Sequence, residues 1–148
     1  MSKPTDIKIV DAVLRFESVP FRTPLKFGGR LIEQTTLVNV DVTAETRRGH
    51  AATGMGSMPI GNVWAWPSAA LSGDQTEAIM KKFAEEVVEI ANAYPEFGHP
   101  LDIAYHLSGE YYPLGKTLHP KMGCEEEMPA LAQLLAASAF DAAPQDAE

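Results

Sequence analysis

The first part of the chain carries the alternation of apolar and polar residues that is typical of a strand with one buried face. Between residues 7 and 18, one side of an extended backbone holds Val10, Ala12, Leu14 and Phe16. The other side holds Asp11, Arg15 and Glu17. The pattern therefore predicts a strand over residues 7–18 that buries its apolar side.

Residues 19–30 are predicted to form an irregular loop, because two prolines and two adjacent glycines interrupt regular structure there. These residues are Pro20, Pro24, Gly28 and Gly29. Large apolar side chains occur in the same segment, namely Phe21, Leu25 and Phe27. Exposing such side chains is costly unless something covers them. The segment is expected either to fold over the domain's own core or to contact a ligand or a partner domain.

A second strand is predicted over residues 36–44 and a shorter third strand over residues 50–55. Val38, Val40 and Val42 share one face of the second strand. A polar turn that ends at Gly49 joins the two strands. The short connection favours an antiparallel meander.

Residues 54–67 are expected to form a second irregular loop with an apolar content. Its large side chains are Met55, Met58, Trp64 and Trp66. Gly54, Gly56 and Gly61 do not have the spacing of a nucleotide-binding glycine loop, and no helix opens directly after them. They are interpreted as glycines of a flexible turn.

Helical periodicity begins near Asp74 and is predicted to end before Pro95. One stripe of this helix is apolar and consists of Ile79, Phe83, Val87, Ile90 and Ala91. Glu77 and Lys81 lie on the opposite side as a favourable i,i+4 pair.

A second helix is expected from Pro100 to about Leu107, since proline suits the first position of a helix. Residues 110–127 are expected to be a long connection. A third helix is predicted over residues 129–143 and is expected to break at Pro144. Its many alanines permit close packing against another element.

Strands come first and helices follow, so the pattern predicts the α+β class. The whole chain, residues 1–148, is expected to be one domain. A three-stranded antiparallel meander would occupy about residues 7–56, and a helical part about residues 72–143. A composition of 45% hydrophobic and 22% charged residues is that of an ordinary globular chain.

The net charge of −8 disfavours binding to nucleic acid, because an acidic surface repels phosphates. Arg47 and Arg48 form a basic pair in a predicted turn. No apolar run is long enough to span a bilayer and the start does not resemble a signal peptide. A cytoplasmic protein that does not bind membranes is therefore expected.

No metal site is expected within this chain. The four histidines, His50, His99, His106 and His119, include no i,i+4 pair. Cys124, the single cysteine, is interpreted as a small thiol beside a turn glycine rather than as a nucleophile. Three consecutive acids, Glu125, Glu126 and Glu127, precede the last helix and are interpreted as capping and solvating residues.

Several stretches occur in an order that is similar to that of a known family. They are Ile9-Val10-Asp11-Ala12-Val13, Thr23-Pro24-Leu25-Lys26-Phe27-Gly28-Gly29-Arg30, Leu37-Val38-Asn39-Val40-Asp41-Val42-Thr43, Gly49-His50-Ala51-Ala52-Thr53-Gly54 and Met128-Pro129-Ala130-Leu131-Ala132-Gln133-Leu134. Together they resemble the amino-terminal capping domain of the mandelate racemase/muconate lactonizing enzyme family, in the enolase superfamily. The resemblance covers nearly the whole chain.

The resemblance implies a meander and helical subdomain that cap a modified (β/α)8 barrel, with residues 19–30 and 54–58 closing over the substrate. The candidate substrate-binding residues are Phe21, Phe27, Arg30, Met55 and Met58. Arg30 could pair with a carboxylate, and the others could exclude water.

In that family the catalytic residues and the ligands of Mg²⁺ lie on barrel strands, which this chain lacks. No catalytic residue is carried over, and Mg²⁺ would be bound outside this chain. The implied reaction is that of a racemase, epimerase, dehydratase or cycloisomerase, which abstracts the proton alpha to a carboxylate. The expected partners are the protein's own carboxy-terminal barrel, a small carboxylate and further copies of the chain, and the chain alone is expected to be inactive.

Two other interpretations stay open. The chain could be a stand-alone module that binds a protein or a ligand through its apolar loops and alanine-rich last helix, or the remnant of a decayed gene. The stop shortly after Pro144 suggests a truncated product or a fragment.

Overall fold

The computed structural model of the chain describes residues 3–147. Three antiparallel strands come first, β1 (Ile7–Phe27), β2 (Arg30–Thr46) and β3 (Ala51–Pro59), in the spatial order β1-β2-β3. The helices of the described part are α1 (Asn62–Ala65), α2 (Gly73–Asn92), α3 (Pro100–Ser108), α4 (Tyr111–Lys121) and α5 (Ala130–Asp146). The expected α+β class, a three-stranded meander followed by a helical part, is confirmed.

The core lies between one face of the sheet and the helices, chiefly α2 and α5. Val38, Val40 and Val42 are all buried, which confirms the predicted inner face of β2. Ile79, Phe83, Val87 and Ala91 of the predicted helical stripe are buried as well. The helix begins with a capping box, in which the Ser72 side chain accepts from the Gln75 amide at 3.2 Å and the Gln75 side chain accepts from the Ser72 amide at 2.8 Å.

A β-bulge at the start of β1 changes which side chains face the core. The register with β2 shifts between Ile9 and Asp11, so Ile9 and Ala12 both point inward and are buried. Val10, expected on the buried side, is 54% exposed. That prediction is wrong because the bulge adds one residue to the alternation.

The prediction of an irregular loop over residues 19–30 is also wrong, because this segment is the distal part of a β-hairpin. The two strands pair as far as Phe27 and Arg30. Gly28 and Gly29 form the turn with φ of 54° and 78°, the positive values that a two-residue hairpin turn requires. The prolines of the segment are tolerated because β1 is an edge strand and its register is irregular there.

Close approach of α5 to β3 explains two glycines of that strand. A Cβ on Gly56 would lie 1.8 Å from the backbone oxygen of Ala139, and one on Gly54 would lie 2.3 Å from that of Ala143. The prediction of a flexible turn is therefore wrong, since both glycines lie within β3 and allow the helix to approach. The expected close packing of the alanine-rich helix is confirmed.

Two segments predicted to be non-helical belong to helices. Pro113 lies in the first turn of α4, where a missing amide proton removes no intrahelical hydrogen bond. The helix ends in a Schellman motif, in which Cys124 N donates to His119 O at 2.9 Å after Gly123 with φ of 74°. Pro144 lies in the last turn of α5, so the helix loses one hydrogen bond there instead of breaking.

Residues 54–67, expected to be irregular, divide between β3, α1 and the core. Trp64 remains exposed, whereas Trp66 is buried and its Nε1 donates to Glu126 at 2.7 Å. Ser68 Oγ donates to the other carboxylate oxygen at 2.6 Å. Hydrogen bonds from Ser68 and Trp66 hold the pKa of Glu126 below its ordinary value. The capping role predicted for this glutamate is wrong, because it instead joins the segments before α2 and α5.

Candidate functional site

A groove of about 790 Å³ lies between the distal part of the β1–β2 hairpin and the start of the helical layer. The hairpin provides one wall through Phe21, Leu25 and residues 30–36. Residues 61–64 and the first turn of α2 provide the other wall. Small-molecule sites commonly have volumes of about 300–1,000 Å³, so the groove is large enough to hold a ligand.

Large exposed side chains form the apolar part of this groove. Leu25 and Leu31 on the hairpin are 53% and 62% exposed, and Trp64 on α1 is 47% exposed. Phe21 lines the same wall and is 36% exposed. Scattered exposed apolar residues are ordinary, but their concentration on two walls of one groove is typical of a surface that a ligand or another domain covers.

Arg30 connects the hairpin to the segment before α2. Its Nη2 donates to the backbone oxygens of Ser68 at 2.8 Å and Leu71 at 3.3 Å. Its Nη1 is buried and has no hydrogen-bond partner among the described residues. A Cβ on Gly73 would lie 3.7 Å from Nη1, so the cation lies against the amino-terminal end of α2. The helix dipole is positive at that end, and the two together attract anions.

Three carboxylates line the same groove and reduce its positive potential: Glu33, Asp74 and Glu77. Glu77 accepts from Thr36 Oγ1 at 2.6 Å and pairs with Lys81 Nζ at 2.7 Å, the predicted i,i+4 contact. Burial alone would raise the pKa of Glu77, but the hydrogen bonds from Lys81 and Thr36 outweigh it and the pKa lies below its ordinary value. Glu77 is thus a charged, paired group and is not poised as a general base.

The structure separates the five predicted substrate-binding residues. Among the described residues, the groove lining includes Phe21 and Arg30 but not Phe27, Met55 or Met58. Phe27 is exposed beside the hairpin turn, Met55 is exposed on the outer face of β3, and Met58 packs against the core. Met55 and Met58 occupy opposite faces because they lie an odd number of residues apart in a strand. Ligand binding by all five stays a prediction.

Leu31 and Asn62 are among the groove residues that the sequence pattern did not indicate. Leu31 pairs with Lys26 across the hairpin, and its position follows once the two adjacent glycines are identified as a two-residue turn. Asn62 Nδ2 donates to Gly73 O at 2.8 Å and Thr76 Oγ1 at 3.0 Å, which joins α1 to α2. No periodic pattern indicates such a tertiary contact.

The outer face of the sheet differs in character from the hairpin end. Polar cross-strand contacts cover much of it: Arg15 with Asp41, Asn39 with Glu17 at 3.4 Å, Ser57 with Asn39 at 2.6 Å and Thr43 with Thr53 at 2.9 Å. Contacts of this kind are typical of a solvated face. The hairpin end is therefore the more apolar part of the sheet surface.

Within residues 3–147, no three His, Cys, Asp or Glu side chains come together in a group that could hold a metal ion. Cys124 is buried and its Sγ donates to Glu126 O at 3.2 Å. None of the helices in the described part is both long and apolar enough to cross a membrane.

No protein-family model matches this chain, and no curated protein sequence matches it. Solved structures do match. One is an enolase from Bradyrhizobium complexed with magnesium and mandelic acid, 17% identical, with a TM-score of 0.44 over 93% of this chain and 30% of that enzyme. Another is an enolase from alpha proteobacterium BAL199 with bound magnesium, 16% identical, with a TM-score of 0.45 over 95% of this chain and 31% of that enzyme.

The chain therefore spans less than a third of either matched enzyme. At identities of 16% and 17%, these matches concern the fold and not the substrate.

Proposed function

We propose that this chain is the capping domain of a Mg²⁺-dependent enolase-superfamily enzyme, and that its β1–β2 hairpin covers a carboxylate substrate. The support is the sequence resemblance, the meander with its helical part, and the groove beneath the hairpin. The reaction would be that of a racemase, epimerase, dehydratase or cycloisomerase. Its catalytic groups and Mg²⁺ ligands would lie in a barrel domain outside this chain.

The apolar end of the hairpin is the observation that carries the proposal. Phe21, Leu25 and Leu31 are exposed there, at the end of the sheet farthest from the β2–β3 turn. A lid over an active site has to exclude water from the reacting groups, which requires apolar side chains that stay uncovered until the partner domain is present. A hairpin that only faced solvent would not need them.

Arg30 has a positioning role in this proposal. Its hydrogen bonds to Ser68 O and Leu71 O fix the distal hairpin relative to the helical layer. The contact between Thr36 and Glu77 fixes the base of the same hairpin. The lid would thus be held in place before the substrate arrives, and the charge of Arg30 would add attraction for a carboxylate.

The test uses the polypeptide that carries this chain in its source cell. An antibody to residues 1–148 should detect a protein well above the 16.1 kDa of this chain. The purified protein should exchange the alpha proton of a carboxylate with D₂O only when Mg²⁺ is present. Mandelate heads the panel of α-hydroxy acids because one matched enzyme was solved with it. Exchange by the isolated chain would contradict the assignment of catalysis to another domain.

A matched pair of variants tests the lid itself. Leu25 and Val13 are both exposed apolar residues of β1, 53% and 46% exposed, but only Leu25 lines the groove. In the full polypeptide, Leu25→Asp should lower kcat/KM by roughly tenfold, because a charge would draw water under the lid. Val13→Asp should leave kcat/KM unchanged. Equal effects of the two substitutions would show that the hairpin does not cover the substrate.

A stand-alone interaction module is the second candidate function. Leu131 and Leu134, about one turn apart on α5, are 50% and 56% exposed and could contact a protein partner. This candidate predicts that the antibody detects a species of 16.1 kDa. It also predicts no Mg²⁺-dependent exchange in any fraction that contains that species.

A further inference from the structure

Basic side chains gather at the end of the sheet opposite the hairpin groove. A concavity of about 360 Å³ there is lined by Lys3, Pro4, Thr46, Arg47, Arg48 and His50. Three of the chain's 12 Lys and Arg residues thus line one small site, although the net charge of the chain is −8. Within the described residues, the lining of this concavity contains no carboxylate.

The turn between β2 and β3 holds these residues in a defined arrangement. Thr46 N donates to His50 O at 2.8 Å, and Gly49 N donates to Thr46 O at 2.9 Å. The Arg47 guanidinium lies 4.5 Å from the centre of the Phe97 ring, which favours a cation. A side chain that is already positioned loses less rotamer entropy when it binds a ligand.

Asp6 offsets part of the positive charge from behind the site. Its Oδ2 lies 3.7 Å from Arg47 Nε and accepts from the Lys3 amide at 2.8 Å. Asp6 is buried, so it orients these two residues instead of facing the concavity. Lys3 and Arg47 also line a neighbouring concavity with Glu96 and Asp102, and these carboxylates lower the positive potential on that side. Arg48 and His50 line the basic concavity and not that neighbouring one.

We propose that Lys3, Arg47, Arg48 and His50 form a binding site for a small multivalent oxyanion that carries phosphoryl or several carboxylate groups. Planar guanidinium groups donate two parallel hydrogen bonds to such anions. A volume of about 360 Å³ lies within the range of small-ligand sites. The concentrated charge attracts anions in spite of the acidic surface elsewhere.

The site is independent of the proposed capping function. β2 has 17 residues and separates this turn from the hairpin turn. At about 3.3 Å per residue, the two ends of the strand are roughly 50 Å apart. An anion bound at this site would therefore not be the substrate beneath the hairpin.

Titration of the ¹⁵N-labelled full chain, observed by NMR, tests the proposal. Pyrophosphate and citrate are the probes, and NaCl at equal ionic strength is the control for screening. The expected result is a saturable shift of the amides of Lys3 and residues 46–50, with a Kd below about 1 mM for at least one probe. The probe with the lower Kd identifies the ligand class, phosphoryl for pyrophosphate or polycarboxylate for citrate.

Two arginines that are both exposed provide a matched pair of variants. Arg48→Gln should weaken binding by about tenfold, because one charge-assisted contact is lost. Arg22→Gln, which changes the net charge equally but lies on the hairpin, should leave the Kd within about twofold. Arg47→Lys keeps the charge but removes the planar guanidinium group with its paired donors, and should weaken binding severalfold.

The proposal is overturned if NaCl reproduces the amide shifts or if the shifts stay linear without saturation. It is also overturned if Arg48→Gln and Arg22→Gln weaken binding equally. In each of these cases the basic turn is only a solvated part of the surface. The two glutamine variants should have the same unfolding midpoint as the parent chain, which excludes loss of folding as the cause.

Discussion

Substitution of Gly56 by alanine is the most direct test of the packing between α5 and β3. The new Cβ would lie 1.8 Å from Ala139 O and 2.8 Å from Ala139 C. An ordinary contact begins near 3.4 Å, so the helix would have to move away by about 1.6 Å. The atoms in the way belong to the helix backbone and cannot rotate aside, as the end of a side chain could.

The displacement would loosen the inner face of α5, where Ala136, Ala139, Phe140 and Ala143 are buried. Overpacked cores typically lose about 1–3 kcal/mol of stability. The clash of the new Cβ with backbone atoms of α5 belongs at the upper end of that range, about 3 kcal/mol. A domain of this kind has a free energy of unfolding of about 5–15 kcal/mol in all. For a chain of 148 residues, the loss corresponds to a fall in Tm of roughly 6–12 °C.

Urea unfolding followed by circular dichroism measures the change, with Gly54→Ala as a second probe and Gly73→Ala as the control. A Cβ on Gly73 would meet its nearest neighbour at 3.7 Å, an ordinary contact, so that variant should stay within about 0.5 kcal/mol of the parent chain. If Gly56→Ala also stays within about 0.5 kcal/mol, the tight approach of α5 to β3 is refuted.

Three further predictions concern polar groups. Arg30→Met should release the distal hairpin, because the hydrogen bonds to Ser68 O and Leu71 O are lost. Hydrogen exchange of the amides of residues 30–35 should become faster, and an unchanged rate would exclude the anchoring role of Arg30. The pKa of Glu126 is lowered in the folded state, so its stabilisation is present above the unfolded value of about 4.3 and is lost as the pH falls through the folded pKa. The Tm difference between the parent chain and Glu126→Gln should therefore shrink on acidification, and a constant difference would contradict the pairing with Ser68 and Trp66. Burial raises the pKa of Asp141 despite the hydrogen bond from Tyr111. The free energy of unfolding therefore falls as the pH rises through the folded pKa, because the buried carboxylate becomes charged. Asp141→Asn should unfold at a higher urea concentration than the parent chain at pH 7, with a smaller gain at pH 4, and a loss at pH 7 would show that the carboxylate itself is needed.

The regular parts of the chain were predictable because their signals are local. The alternation of Val38, Val40 and Val42 defines a buried strand face, and the stripe through Ile79, Phe83 and Val87 defines a helix that packs on it. Both lie in the core. The order of these elements was enough to predict the α+β class.

Predictions failed where glycine or proline was taken as a sign of irregular structure. Gly28 and Gly29 are the hairpin turn, Gly54 and Gly56 admit a helix, and Pro144 occupies the last turn of α5. In each case the residue type is compatible with more than one backbone conformation, and the residues that pack around it in the folded chain decide which conformation forms. The exposure of Val10 has a different cause. The β-bulge between Ile9 and Asp11 inserts one residue into β1 and reverses the alternation of buried and exposed side chains.

The candidate site was predictable only in part. Large apolar residues on the hairpin segment indicated a covered surface, and Phe21 and Arg30 do lie in one groove. The inward direction of the Arg30 guanidinium and the separation of Met55 from Met58 did not follow from composition. Both depend on how the strands twist and which face each residue occupies.

By itself, the sequence determined the class of fold, the buried faces of β2 and α2, and the family resemblance, because each depends on residues that are close along the chain. Only the tertiary structure decided that the hairpin forms a groove with α1 and α2, and that four basic residues meet beside the β2–β3 turn. These features join residues that are distant in sequence, and their geometry is set by the pairing of the strands and by the positions of α1 and α2 beside the hairpin. The pattern of residues along the chain does not specify the distances between residues that are far apart in sequence.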